Sequence, residues 1–171
     1  MKKVIFILAT MLVFLNSYSQ QEDKSKRPSP PVTVSGKIGA ANVTVDYSQP
    51  SIKGRKVWGE LVPFGEVWRT GANEATIFTT DKDILVEGKV LKAGTYSFFT
   101  IPNKEDWTII FNNVAHQWGA YKYDVSKDAL RVNVKPTKSE SFNEKLSYNL
   151  DKGHVIINWE NLKIPVSLKQ S

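Results

Sequence analysis

An all-β domain is the expectation for this chain: an antiparallel β-sandwich or flattened barrel of about nine to eleven short strands carrying one long irregular loop. Two observations carry it. From Val32 onward, apolar and polar residues alternate at period two, which is the mark of strands with one buried face, and no long run of helical periodicity interrupts them. The exception is residues 54–74, GRKVWGELVPFGEVWRTGANE, which show neither period and are dense in Gly, Trp, Arg and carboxylate. Irregular stretches of about this length are uncommon inside a compact domain and usually build a site or a structural plug.

The chain opens with Met1, Lys2 and Lys3, runs through the apolar residues 4–15, and reaches small residues at Ser17 and Ser19. A positive start, an apolar centre of about a dozen residues and a small-x-small site predict a signal peptide over residues 1–19. The apolar run is well short of the roughly 20 residues a membrane-spanning helix needs. Export to the periplasm or beyond follows, with a soluble mature protein and no membrane span after cleavage. Residues 20–31, QQEDKSKRPSPP, contain no aliphatic or aromatic side chain and end in three prolines out of four, so they read as a disordered linker. One β-sandwich domain is expected over residues 32–171, long enough to bury a core of its own.

Val32, Val34 and Ile38 alternate with Thr33, Ser35 and Lys37, and after a turn at 39–42, Val43, Val45 and Tyr47 alternate with Thr44, Asp46 and Ser48. A short helical turn at 56–61 is suggested by Val57 and Leu61, four apart. Residues 87–101 read as strand end, turn and strand, with Gly88 and Gly94 supplying the turns. Tyr96 and Phe98 then face one way and Phe99 and Ile101 the other. A strand apolar on both faces lies between packed layers or beneath a covering loop. Trp107, Ile109 and Phe111 mark another strand, as do Leu130, Val132 and Val134, and Leu146, Tyr148 and Leu150. Val155, Ile157 and Trp159 share a face, as do Leu162, Ile164, Val166 and Leu168; Pro165 cannot donate to a ladder, which makes this last strand an edge.

The formal charge is +6, and loss of Lys2 and Lys3 with the leader lowers it by two. The remaining cations are interleaved with carboxylates, so no phosphate-tracking stripe exists and nucleic acid is not an expected partner. The chain has no cysteine, which removes disulfides, thiolate metal sites and a lipidated cysteine. It has no HExxH or HxH spacing, no Asp-rich calcium loop, no GxSxG, no Walker loop and no dinucleotide glycine fingerprint, so no metal and no cofactor is expected.

Within residues 54–74, Trp58, Phe64 and Trp68 supply the apolar mass to bury the loop against the sheet. Arg69, Asn73 and Glu74 are the candidate chemistry: a guanidinium able to fork onto an anionic group, an amide with two-way hydrogen bonding, and a carboxylate able to act as base. Two readings stand side by side. The three groups converge on a ligand, or Arg69 and Glu74 pair with each other, or with backbone carbonyls, to tie down the loop. Arg55 and Lys56 read as a solvated rim. His116 lies in NNVAHQWGAYKYD, whose Gln117, Trp118, Tyr121 and Tyr123 suit ring stacking plus hydrogen bonding to an amphipathic molecule, with His116 as a candidate base.

The runs YSQPSIKGRKVWGELVPFGEVWRTGANEATIFTT, LKAGTYSFFTIP, DWTIIFN and QWGAYKYD together resemble the secreted bacterial family known as domain of unknown function 2911. The resemblance covers nearly the whole chain from about Val32, and its most specific part is residues 68–74, WRTGANE. It implies an exported protein of Bacteroidetes type and brings no activity, cofactor or catalytic residue with it. The functional expectation is a non-enzymatic binder of a small polar or carbohydrate-like ligand, anchored by Arg69, oriented by Asn73 and stacked by Trp118 or Tyr96. A hydrolase using Glu74 or His116 with Arg69, and a structural or interaction module without a small-molecule site, are the alternatives.

Overall fold

The computed structural model describes residues 23–171. The expected signal peptide and the first residues of the expected linker lie outside them. Ten strands form: β1 (Pro31–Ile38), β2 (Ala41–Ser48), β3 (Ala72–Thr80), β4 (Ile84–Val86), β5 (Lys89–Leu91), β6 (Gly94–Ile101), β7 (Trp107–Asn112), β8 (Asp128–Val134), β9 (Thr137–Asp151) and β10 (His154–Gln170). They make two sheets, a six-stranded one in the order β1-β2-β3-β6-β7-β8 and a four-stranded one in the order β5-β4-β10-β9. Every pairing is antiparallel. Neither sheet closes on itself, so the architecture is sandwich-like and not a barrel.

The alternation read from the sequence becomes the core. Val43, Val45, Phe78, Phe98, Phe111 and Val132 come from the large sheet and meet Leu146, Tyr148, Val155, Ile157, Ile164 and Val166 of the small one in one buried cluster. β6 is buried on both faces, as its doubly apolar sequence requires. Phe98 faces the main core, while Phe99 joins Ile110 and Ala75 in a second cluster covered by Val67, Ala120 and Tyr123.

Pro165 does not mark an edge. It sits in β10, which is an interior strand, at the point where that strand changes partner: the ladder with β9 runs to Lys163, and the ladder with β4 begins at Leu168. The missing N–H therefore falls in the gap between two ladders and interrupts neither. The runs ending at Trp159 and beginning at Leu162 are one long strand with irregular register around Glu160, whose φ is 54°.

The irregular segment is shorter than its sequence suggests, because β3 starts at Ala72. No helix forms at 56–61; the chain instead closes a wide turn in which Leu61 N–H donates to Lys56 O and Val62 N–H to Val57 O. Val57 and Val62 are the buried anchors. Trp58 and Trp68 pack inward as expected, but Phe64 does not: it is 36% exposed. Its ring lies over Gly59, where a β-carbon would stand 3.1 Å from it, so it covers the outside of the turn.

Candidate functional site

Trp58 and Trp68 of the loop meet Trp107 of β7 and Trp159 of β10, joining the two sheets and the loop in one tryptophan cluster. Trp58 stands edge-on to Trp107, Trp159 and Trp68 with centroids 5.1, 5.8 and 6.0 Å away, and Trp68 stacks on Trp159 at 5.7 Å and 15°. These are favourable aromatic geometries. They fix Trp68, the residue before Arg69.

The backbone on either side of Arg69 is held as firmly. Trp68 exchanges both backbone hydrogen bonds with Thr100, at 2.7 and 2.9 Å. Thr70 adopts φ 52°, a costly conformation for a β-branched residue. It is pinned there by its surroundings: its carbonyl accepts from Thr76 Oγ1 at 3.0 Å and Tyr148 Oη at 2.7 Å, and its hydroxyl donates to Trp68 O at 3.1 Å. Gly71 follows because there is no room for more. A β-carbon there would lie 2.9 Å from Thr76 Oγ1 and 3.2 Å from Ser48 O. Gly71→Ala is accordingly expected to destabilise the fold by about 1–3 kcal/mol, the usual cost of overpacking, read as a lowered urea midpoint at unchanged slope.

Arg69 faces a cleft of about 190 Å³ whose lining includes Arg55, the indoles of Trp68 and Trp159, Leu61 and Ser29, and no carboxylate. Its Nε is buried with no hydrogen-bond partner among the described residues, as is Trp159 Nε1. Arg69 forms no ion pair among the described residues. The expected pairing with Glu74 does not occur. A β-carbon at Gly119 would lie 3.5 Å from Arg69 Nη1 and 2.9 Å from the Tyr121 ring, so guanidinium and ring approach the same glycine. Arg55 is exposed, as expected of a rim residue, and is steadied there by its Nε and Nη2, which donate to Ile52 O and Ser51 O at 2.9 and 2.6 Å.

Glu74 pairs with the N-terminal segment instead. Lys24 Nζ donates to its Oε1 at 2.8 Å, and Arg27 Nη1 reaches both carboxylate oxygens at 3.0 Å. Asn73, at φ 56°, uses its side-chain amide to hold Ser29 O at 3.1 Å. From Asp23 on, the segment read as a disordered linker is therefore laid against the sheet, with a short 3₁₀ turn at Lys24–Lys26. Its polarity explains both outcomes: it has nothing to bury, but its cations find a carboxylate.

Desolvation pushes the Glu74 carboxyl up, but hydrogen bonds from Lys24, from its own backbone and from Arg27 outweigh it and bring the pKa from 4.5 to about 2. A carboxyl lowered on folding adds stability that is fully present above its unfolded value and is lost as pH falls through its folded one. The difference in melting temperature between wild type and Glu74→Gln is thus expected to be constant above pH 4.5 and to close as pH falls toward about 2. A difference growing with acidity would contradict the pairing. So low a pKa also makes Glu74 a weak proton acceptor at neutral pH.

Glu74 and His116 line a second, smaller hollow of about 170 Å³ with Asp46 and Lys24, separate from the Arg69 cleft. His116 is exposed, at φ 60°. Trp118 is 58% exposed and bridges to Glu74 through backbone: Gly119 N–H donates to Asn73 O at 3.1 Å and Ala75 N–H to Gln117 O at 2.9 Å. Tyr96 is not at the site. It is 6% exposed, packed edge-on to Phe111, with its hydroxyl donating to Lys92 O, because the inward face of β6 points into the core. The six candidates thus divide: Arg69 in one cleft, Glu74 and His116 in another, Asn73 and Trp118 at the seam between them, and Tyr96 in the core. Sequence reasoning missed Trp159, Lys24 and Arg27 as site residues. Only the density of cations in the tail hinted at the last two. Among the described residues no group of three His, Asp or Glu side chains is placed to hold a metal ion.

Two antiparallel sheets joined by a tryptophan cluster, with an arginine-bearing aromatic cleft beside it, define the class: an all-β sandwich with a recessed cationic candidate site. The chain belongs to the family described as "Protein of unknown function (DUF2911)", which matches residues 29–168. No curated protein and no solved structure matches it.

Proposed function

We propose that the protein is an exported, non-enzymatic binder of a small ligand bearing a carboxylate or phosphate, held in the Arg69 cleft. One observation carries the reading: a guanidinium with a buried, unpartnered Nε lines a cleft that has a second arginine and no carboxylate. Buried donors are costly unless an acceptor meets them, and a forked guanidinium suits a planar or tetrahedral oxyanion. The stacked indoles and Leu61 add an apolar wall, which favours a sugar acid or similar amphipathic anion over a bare ion. The cleft is below the usual range of roughly 300–1,000 Å³ for drug-sized ligands, so a single ring or short chain is the expected size.

A thermal-shift screen of the protein without residues 1–19 tests it, using glucuronate, galacturonate, short dicarboxylates and inorganic phosphate, with glucose and galactose as neutral controls. A ligand at 100 times its Kd adds about 2.7 kcal/mol by mass action, or roughly 5–10 °C for a chain of this size. Acids are expected to raise the melting temperature and neutral sugars to leave it unchanged. Equal shifts from glucose and glucuronate would overturn the anionic reading.

A further inference from the structure

The N-terminal segment is seated by three independent anchors, and one of them, Asn73, holds the residue of the segment that lines the cleft, Ser29. Arg27, its side chain only 12% exposed, and Lys24 grip Glu74; Asn73 holds Ser29 O; and Gln49 N–H donates to Pro30 O at 2.9 Å. Ser29 also lines the Arg69 cleft with Ala72 and Gly71, and Pro28 and Ser29 line a neighbouring hollow that shares Arg55 with it. The segment brings no apolar side chain beyond its prolines, so what fixes its cationic end is charge and hydrogen bonding. We propose that residues 24–30 are a detachable strap that roofs the Arg69 cleft, clasped by Glu74 and Asn73, so that release of the clasp opens the cleft to ligand. The regulatory meaning rests on the anion-binding reading above; the roofing itself does not.

The seat has the properties a latch needs. An exposed ion pair contributes at most about 1 kcal/mol and is weakened by salt, so losing it changes the seated-to-open ratio by roughly fivefold. Arg27 Nη1, shared between the two Glu74 oxygens at 3.0 Å and partly shielded from water, is the less exposed of the two cationic links. Nothing in the hydrophobic core has to move for the strap to lift, since none of its residues belongs to a core cluster.

The test needs no knowledge of the ligand. In a Trp118→Phe background the remaining tryptophans are the cluster of Trp58, Trp68, Trp107 and Trp159, two of which line the cleft. Acrylamide quenching of their fluorescence then reports cleft access. Because the chain has no cysteine, Lys26→Cys gives one labelling point for an environment-sensitive dye, at a side chain 83% exposed. Glu74→Gln is expected to change the dye emission and raise the quenching constant at least twofold. Lys24→Ala/Arg27→Ala, which leaves β3 untouched, is expected to do the same, and 0.5 M NaCl to do so in wild type but not in either variant. Unchanged dye emission in both variants would overturn the clasp. Changed emission with unchanged quenching would overturn the roof. If quenching rises as stated but neither glucuronate nor phosphate alters fluorescence in any variant, the strap stands and the anion-binding reading fails.

Discussion

Trp159→Ala is expected to lower stability by about 3–5 kcal/mol, the range for truncating a large buried aromatic, and so to drop the melting temperature by roughly 10 °C or more. The residue is 1% exposed, stacks on Trp68 and receives the edge of Trp58. It is also where β10 of the small sheet touches the loop that carries Arg69. The loss is therefore expected to be more than a cavity, since Trp68 would lose its stacking partner and the loop its fixed face. Trp118→Ala is the control. At 58% exposure, its effect is expected within about 0.5 kcal/mol, as for most surface changes. Equal effects from the two would mean that the cluster does not join sheet and loop as described.

Arg69→Ala is expected to weaken binding of the anionic ligand about 10- to 150-fold, which is the roughly 1.5–3 kcal/mol that a hydrogen bond to a charged group contributes. Arg69→Lys should recover only part of this, because it keeps the charge and loses the fork. Neither substitution is expected to lower stability appreciably, and either can raise it slightly, since it removes a buried N–H that has no acceptor among the described residues. Loss of binding without loss of stability is the pattern of a residue kept for function at some cost to the fold. Calorimetric titration and thermal unfolding of the same three proteins check both halves. A destabilised Arg69→Ala with undiminished binding would assign Arg69 to the loop's structure instead.

How far the sequence could be read follows the range of the interactions involved. Period-two alternation is local, so the strands of Val43 to Tyr47, Trp107 to Phe111 and Leu130 to Val134 stood out, as did the doubly buried β6 and the cover over Phe99. What determines the site is not local. Glu74 meets Arg27 and Lys24 across separations of 47 and 50 residues, and nothing in WRTGANE tells a carboxylate whether its cation is five residues before it or much further back in a tail. A polar tail rich in proline satisfies every compositional sign of a linker, while the anchors that seat it are Asn73 and Glu74 of β3 and Gln49, just past the end of β2. Pro165 misled for a related reason. The rule that proline avoids central strands assumes a strand paired along its whole length, whereas β10 changes partners just where the proline falls. Phe64 and Trp68 carry the same apolar weight in sequence, and the path of the turn around Gly59 sends one out and the other in.

The central claim is that Arg69 and the indole wall form one ligand site, and side-chain N–H nuclear magnetic resonance reads both directly. In ¹⁵N-labelled protein titrated with glucuronate or phosphate, the Arg69 Nε–H and the Trp159 indole N–H are expected to shift together, saturably and with one Kd, while the exposed Trp118 indole does not follow them. Saturable shifts at Trp118 with Arg69 and Trp159 unmoved, or no saturable shift at Arg69 with any anion, would contradict the account.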